Sequence, residues 1–309
     1  EAALDMAKKS IVLLKNEINI LPLKKNGQEI ALIGDLADDK NSQLGSWRRA
    51  SDDNTAVSVL EGMQKYPGNK LTFTQGAQLV VGAESFLTEV RFNTTNKSGF
   101  PAAIKAAKNA DVVVMVLGEH GFQSGEGRSR TNLDLPGVQQ ELLEKVYAAN
   151  KNVVLVLNNG RPLAIDWAAE NIPAMVEAWQ LGTQTGNAVA QVLYGDYNPS
   201  GKLPMTFPRN VGQTPIYYNH QNTGRPEDPQ PGAEMVWWSH YMDVEKTPLY
   251  PFGYGLSYTN FKYDNLTLNK DQFDMGEDVQ VSVDLTNTGN YGGKEVVQLY
   301  IRDLYGSTV

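Results

Sequence analysis

Three short runs constrain this chain more than anything else in it: EIALIG at 29–34, DVVVMVL at 111–117 and NVVLVL at 152–157. Each is continuously apolar instead of alternating. A strand with one wet face alternates, whereas one that is apolar at every position is buried on both faces, as in a parallel sheet covered by helices. Helical periods fill the intervals at 57–66, 101–110, 137–150 and 185–194. Residues 1–15 place Ala3, Ala7, Ile11 and Leu14 near one helical face and read as a further helix. Weaker strands are expected at 71–74, 174–179 and 202–207. Over residues 1–207 the pattern predicts an α/β fold, a doubly wound α/β-sandwich of about five or six mainly parallel strands with helices on both faces.

At Pro208 the pattern stops. Residues 208–258 hold Pro208, Pro215, Pro226, Pro229, Pro231, Pro248 and Pro251 among many Gly, Tyr and Trp, with little periodicity. So long an irregular stretch is expected to wrap another part of the protein or to carry function. From 259 the period becomes two: Val279, Val281, Val283 and Leu285 alternate with polar residues, and Val297, Leu299 and Ile301 form a second such run after a turn at 289–293. Residues 259–309 thus read as a partial β-sandwich, about half of the ~100 residues such a domain takes. Both ends of the chain look cut.

Composition removes whole classes of chemistry. With no cysteine among 309 residues there are no disulfides, thiolate nucleophiles or cysteine metal sites. Lys and Arg number 27 against 35 Asp and Glu, a formal charge of −8, and no basic run exceeds a pair, so a nucleic-acid partner is not expected. No apolar run approaches the ~20 residues of a membrane span.

In doubly wound folds ligands sit beyond the carboxyl ends of the strands. After the strand at 111–117 comes GEHGFQSGEGRSR, carrying Glu119, His120, Glu126, Arg128 and Arg130 among four glycines. Glu126, flanked by Gly125 and Gly127, can project from the scaffold as an acid; the alternative is a solvated glutamate paired with Arg128 or Arg130. Glu119, one residue past the strand, is read as an anchor for loop backbone, and His120 as structural. After the first strand, Leu44-Gly45-Ser46-Trp47 offers an indole that either faces a sugar ring or packs under its own loop. Nucleotide readings fail: 195–202 (GDYNPSGK) has the wrong glycine spacing for a phosphate loop, and no G-x-G-x-x-G follows a strand. Ser124 is not in a G-x-S-x-G elbow. No metal or cofactor is expected.

These segments resemble family 3 glycoside hydrolases of the multi-domain β-glucosidase type. The resemblance rests on SIVLLKNEINILPL (10–23), ALIGDLAD (31–38), LGSW (44–47), VVVMVLGE (112–119), SGEGRSR (124–130), LPGVQQELL (135–143), VVLVLNNGRPL (153–163), YGDYNPSGKLPMTFPR (194–209) and PLYPFGYGLSYTNF (248–261). The closing VQVSVDLTNTGNYGGKEVVQLYI is similar to the fibronectin type III-like domain that follows in such enzymes. The resemblance implies a retaining β-glycosidase, β-glucosidase before β-xylosidase, acting on a β-linked oligosaccharide or glucoside in the periplasm or outside the cell. It also implies that an N-terminal (β/α)8 barrel, absent from this sequence, supplies the nucleophilic Asp. By motif Glu126 corresponds to the acid/base and Trp47 to the aromatic that stacks on the leaving-group sugar; Glu119, Arg128 and Arg130 are expected to support the loop. Both arginines are then expected to point at loop carbonyls or Asp134 and away from Glu126, since a close guanidinium favours the carboxylate. This portion alone is expected to be inactive. A non-catalytic carbohydrate-binding or scaffold module is the alternative, and a flavodoxin-like cofactor domain a third reading without a supporting phosphate loop.

Overall fold

A computed structural model of the chain describes residues 1–48, 52–220, 237–303 and 305. Its centre is a six-stranded sheet in the order β1-β6-β5-β4-β2-β3. The strands are β1 (Val12–Asn16), β2 (Asn26–Ile33), β3 (Gly68–Thr74), β4 (Val112–Gly118), β5 (Val153–Asn158) and β6 (Ala174–Glu177). All neighbours run parallel except β1, which lies antiparallel on β6. The helices are α1 (Ala2–Ser10), α2 (Val59–Met63), α3 (Phe100–Lys108), α4 (Gln139–Ala149), α5 (Asp166–Asn171) and α6 (Thr185–Leu193).

Every residue of β4 and β5 is buried. Val114, Val116, Val154 and Val156 face one hydrophobic layer with residues of α1, α2 and α6, while Val113, Met115, Val153 and Leu155 face the other with residues of α3, α4 and α5. Successive side chains point to opposite faces, and both faces are covered; that is why the runs are continuously apolar. Among the described residues no helix is long and apolar enough to cross a membrane.

Three expectations are corrected. The helix read over 1–15 ends at Ser10, because Ile11 is extended and Ile11 to Leu14 are all fully buried. Four consecutive buried apolar residues fit a strand, and β1 takes them to the sheet edge. Residues 202–207 form no strand; Phe207 makes a single bridge to Tyr250, and Leu203 accepts from and donates to residues 253–254 instead. The proline-rich segment thereby returns along the sheet and Leu256 donates to Leu13 O at 2.8 Å, covering the outer edge of β1. In the last segment β7 (Phe261–Leu268) and β8 (Val281–Asn287) form an antiparallel pair, whereas 297–301 is in no strand among the described residues. Val297, Leu299 and Ile301 are exposed there, with no ladder to join. The Pro226, Pro229 and Pro231 positions lie outside the described residues.

Candidate active site

The parallel strands end together, and their following loops meet at one end of the sheet. Gly118 closes β4 with φ +145°, and a Cβ there would stand 2.0 Å from the carbonyl oxygen of Asn158. Only glycine allows β4 and β5 to run this close while the chain turns into the 119–137 loop.

Glu119 begins that loop with its side chain fully buried. Arg130 Nη1 donates to its Oε1 at 2.8 Å, Arg161 Nε lies 3.1 Å from the same oxygen, and the Gly160 N–H donates to Oε2 at 3.2 Å. One carboxylate thus ties the far end of its own loop to the turn after β5. The arginines complete the frame: Arg128 Nη2 donates to Phe86 O at 2.7 Å and Arg130 Nη2 to Asp134 O at 2.9 Å. Arg161 Nη2 donates to Gln123 O at 2.5 Å and Arg128 O at 2.8 Å. As the sequence predicted, Arg128 and Arg130 turn to loop carbonyls and, for Arg130, to Glu119.

Glu126 is exposed, and among the described residues no hydrogen bond or ion pair reaches its carboxylate. Gly125, at φ +118°, presses on the second loop: a Cβ there would lie 2.2 Å from Ser46 Oγ. Residues 125 and 46 are therefore in contact, and each is followed directly by a projecting side chain, Glu126 and Trp47. Gln180 Nε2 donates to Ser124 Oγ at 3.1 Å, and its Oε1 abuts Gly45. The loops are clamped from below as well.

Trp47 is 68 % exposed, with its ring centroid 6.2 Å from that of Phe86. It does not pack under its own loop. His120 is buried: its Nδ1 accepts the Phe122 N–H at 3.2 Å and its Nε2 lies 3.0 Å from Glu84 Oε2. That pairing makes Nε2 the protonated nitrogen and gives His120 the structural part foreseen for it. An open cleft of about 910 Å³ runs beside the loop, lined among others by Phe122, Arg128, Arg130, Trp167 and Arg209.

Sequence reasoning missed several of these groups. Arg161 and Gly160 follow β5 and could have been found by the strand-end rule that located Glu119. Glu177, at the end of β6, gave no signal in a run of apolar residues. It is fully buried, accepting the Trp179 N–H at 2.8 Å and Asn159 Nδ2 at 3.3 Å. Burial holds its carboxyl well above the usual range, with the nearby Glu119 charge adding to the effect and the two hydrogen bonds opposing it. A raised carboxyl stabilises the fold fully below the unfolded value near 4.5, and that contribution is lost as pH rises toward the folded value. Glu177→Gln is therefore expected to raise the melting temperature relative to the parent more at pH 8 than at pH 5. A gap that narrows with pH in thermal denaturation would contradict a protonated Glu177.

Comparison with known proteins fits this arrangement. Residues 11–258 match the model of the glycosyl hydrolase family 3 C-terminal domain. Over 99 % of the chain it is 44 % identical to a periplasmic beta-glucosidase of Salmonella typhimurium, covering 41 % of that protein. Over 99 % it is also 43 % identical to a beta-xylosidase of Formosa agariphila, covering 40 % of that one. Among solved structures, a beta-glucosidase from Listeria innocua in complex with glucose superposes with a TM-score of 0.85 at 36 % identity, over 97 % of this chain and 39 % of that one. The chain spans about two fifths of the length of these relatives.

Proposed function

The chain belongs to glycosyl hydrolase family 3, through that family's C-terminal domain, and from this premise we propose that it supplies the proton-transfer half of a retaining β-glycosidase active site. Glu126 is the general acid in glycosylation and the general base in deglycosylation. The nucleophilic Asp lies on an N-terminal (β/α)8 barrel that packs against the loop end of the sheet, and Trp47 stacks on the leaving-group sugar. Retaining hydrolysis needs two carboxyls ~5–5.5 Å apart, one to attack the anomeric carbon and one to protonate the departing oxygen.

The observation that carries this reading is the isolation of Glu126. Arg128 and Arg130, two and four residues away, are held by Phe86 O, Glu119 and Asp134 O. A guanidinium bonded to a carboxylate stabilises the anion, so a proton donor must be kept clear of one. The frame does that while leaving Glu126 exposed toward whatever packs on this face. The names of the relatives support a β-D-glucoside as substrate, with β-xyloside as the second choice, and one of them supports a periplasmic compartment over an extracellular one. The same reading divides the chain at 207 and 258, with a partial fibronectin type III-like sandwich beginning at 259. The family match ending at 258 and the separate β7–β8 pair support the boundary at 258.

The purified 309-residue chain is expected to show no measurable aryl β-glucosidase activity, while the enzyme joining it to the barrel turns over readily. Robust turnover by the isolated chain would refute the sharing of the site between the two parts. Titration of the chain with glucose and cellobiose separates the alternative: tight binding without the barrel would favour a carbohydrate-binding module.

A further inference from the structure

Residues 81–91 leave the body of the domain as an excursion whose base is closed by backbone pairing. Val81 N donates to Arg91 O and Asn93 N to Leu79 O, each at 2.9 Å. The excursion holds no strand and touches the core only near its base, through Val90, yet it is bound at its tip to the loop of Glu126. Phe86 O takes the Arg128 guanidinium at 2.7 Å, and Glu84 Oε2 meets buried His120 at 3.0 Å. These two links fix the Phe86 side chain between two other rings. It is tilted 56° to Trp47 at 6.2 Å and stands edge-on to Phe122 at 6.0 Å. Phe122 in turn carries the Arg48 guanidinium 4.5 Å over its face. Leu87, the next residue, is 80 % exposed.

We propose that the 81–91 excursion is a wall of the leaving-group subsite and that Phe86 makes the enzyme select leaving groups with a flat apolar face, aryl groups above all. This rests on the reading of Glu126 and Trp47 given above. Two rings tilted by 56° form a corner: a flat group stacked on the indole of Trp47 presents its edge to the ring of Phe86, an arrangement that aromatic pairs favour. An alkyl leaving group fills neither surface. The Arg128–Phe86 link places this corner at a fixed offset from the proton donor two residues before Arg128. A leaving group held there has its oxygen within the donor's reach by geometry instead of chance.

The test uses the full-length enzyme with its barrel and compares kcat/KM on phenyl β-D-glucoside and methyl β-D-glucoside. Phe86→Ala is expected to lower the phenyl-to-methyl ratio about five- to tenfold, the size of one lost aromatic contact, and mainly through KM on the phenyl substrate. Phe86→Leu, which keeps apolar packing on Phe122, is expected to lower the ratio in the same direction, separating selectivity from folding. Trp47→Ala serves as the reference and is expected to lower it at least as far. An unchanged ratio in both Phe86 variants, while Trp47→Ala still lowers it, overturns the assignment of Phe86 alone. An unchanged ratio in the Trp47 variant as well overturns the placement of the leaving-group subsite, and the Phe86 assignment with it.

Discussion

Replacing Glu126 by glutamine in the full-length enzyme is expected to lower kcat/KM by about 10²–10⁴-fold on alkyl or oligosaccharide β-glucosides, the range set by loss of a general acid. On aryl glucosides whose leaving group departs without a proton the glycosylation step should lose only a few-fold. The contrast follows from chemistry: protonation matters in proportion to the basicity of the oxygen that leaves. It also follows from the structure, because Glu126 is exposed and among the described residues holds no other group in place. Gln keeps the size of the side chain, so folding should be untouched and circular dichroism unchanged. Equal losses on activated and unactivated substrates would remove Glu126 from the acid role.

The second large effect is expected at Glu119, which is buried where Glu126 is exposed. Truncation to alanine leaves Arg130 and Arg161 facing each other's charge without the carboxylate that both approach within 3.1 Å. Breaking a buried ion pair by removing one partner destabilises by roughly 3–5 kcal/mol. At ~2–4 °C per kcal/mol for a domain of this size, the melting temperature should fall by about 6–20 °C. Activity should fall on all substrates alike, since the 119–137 loop loses its tie to the turn after β5. Glu119→Gln should fall between the parent and Glu119→Ala, keeping the Gly160 N–H bond while losing the charge. A melting temperature unchanged by Glu119→Ala, measured by calorimetry, would show that the loop is held by something else.

Much of this was readable in advance, and what was not has physical reasons. β4 and β5 are long, continuously apolar and flanked by helices of clear period, so nothing competes with the parallel-strand reading. β1 was lost because Ile11 to Leu14 follow a true helix directly, and a short apolar run fits either period. α5 spans too few residues for a period to show. Residues 297–301 alternate like a strand, but alternation states only what a segment could bury; pairing needs a neighbour. Among the candidate residues, Glu119, Glu126 and both arginines could be picked out because one loop carries them all. The partners that organise them come from elsewhere: Arg161 from beyond β5, Gln180 from beyond β6, Phe86 from an excursion without pattern. Which strand ends are neighbours is set by the sheet order, and local sequence does not encode it. Glu177 shows the same limit, since a single carboxyl within an apolar run carries no local signal that it is fully buried.

The most direct measurement on the central claim is chemical rescue. Glu126→Ala in the full-length enzyme, given an activated aryl β-glucoside, should form its glycosyl-enzyme and then stall for want of a base. Azide needs no general base, so adding it should restore turnover and yield the β-glucosyl azide, the product of attack on an intermediate held from the opposite face. Rescue that yields the α-glucosyl azide would mean that Glu126 had been the nucleophile, and no rescue would mean that it takes no part in proton transfer.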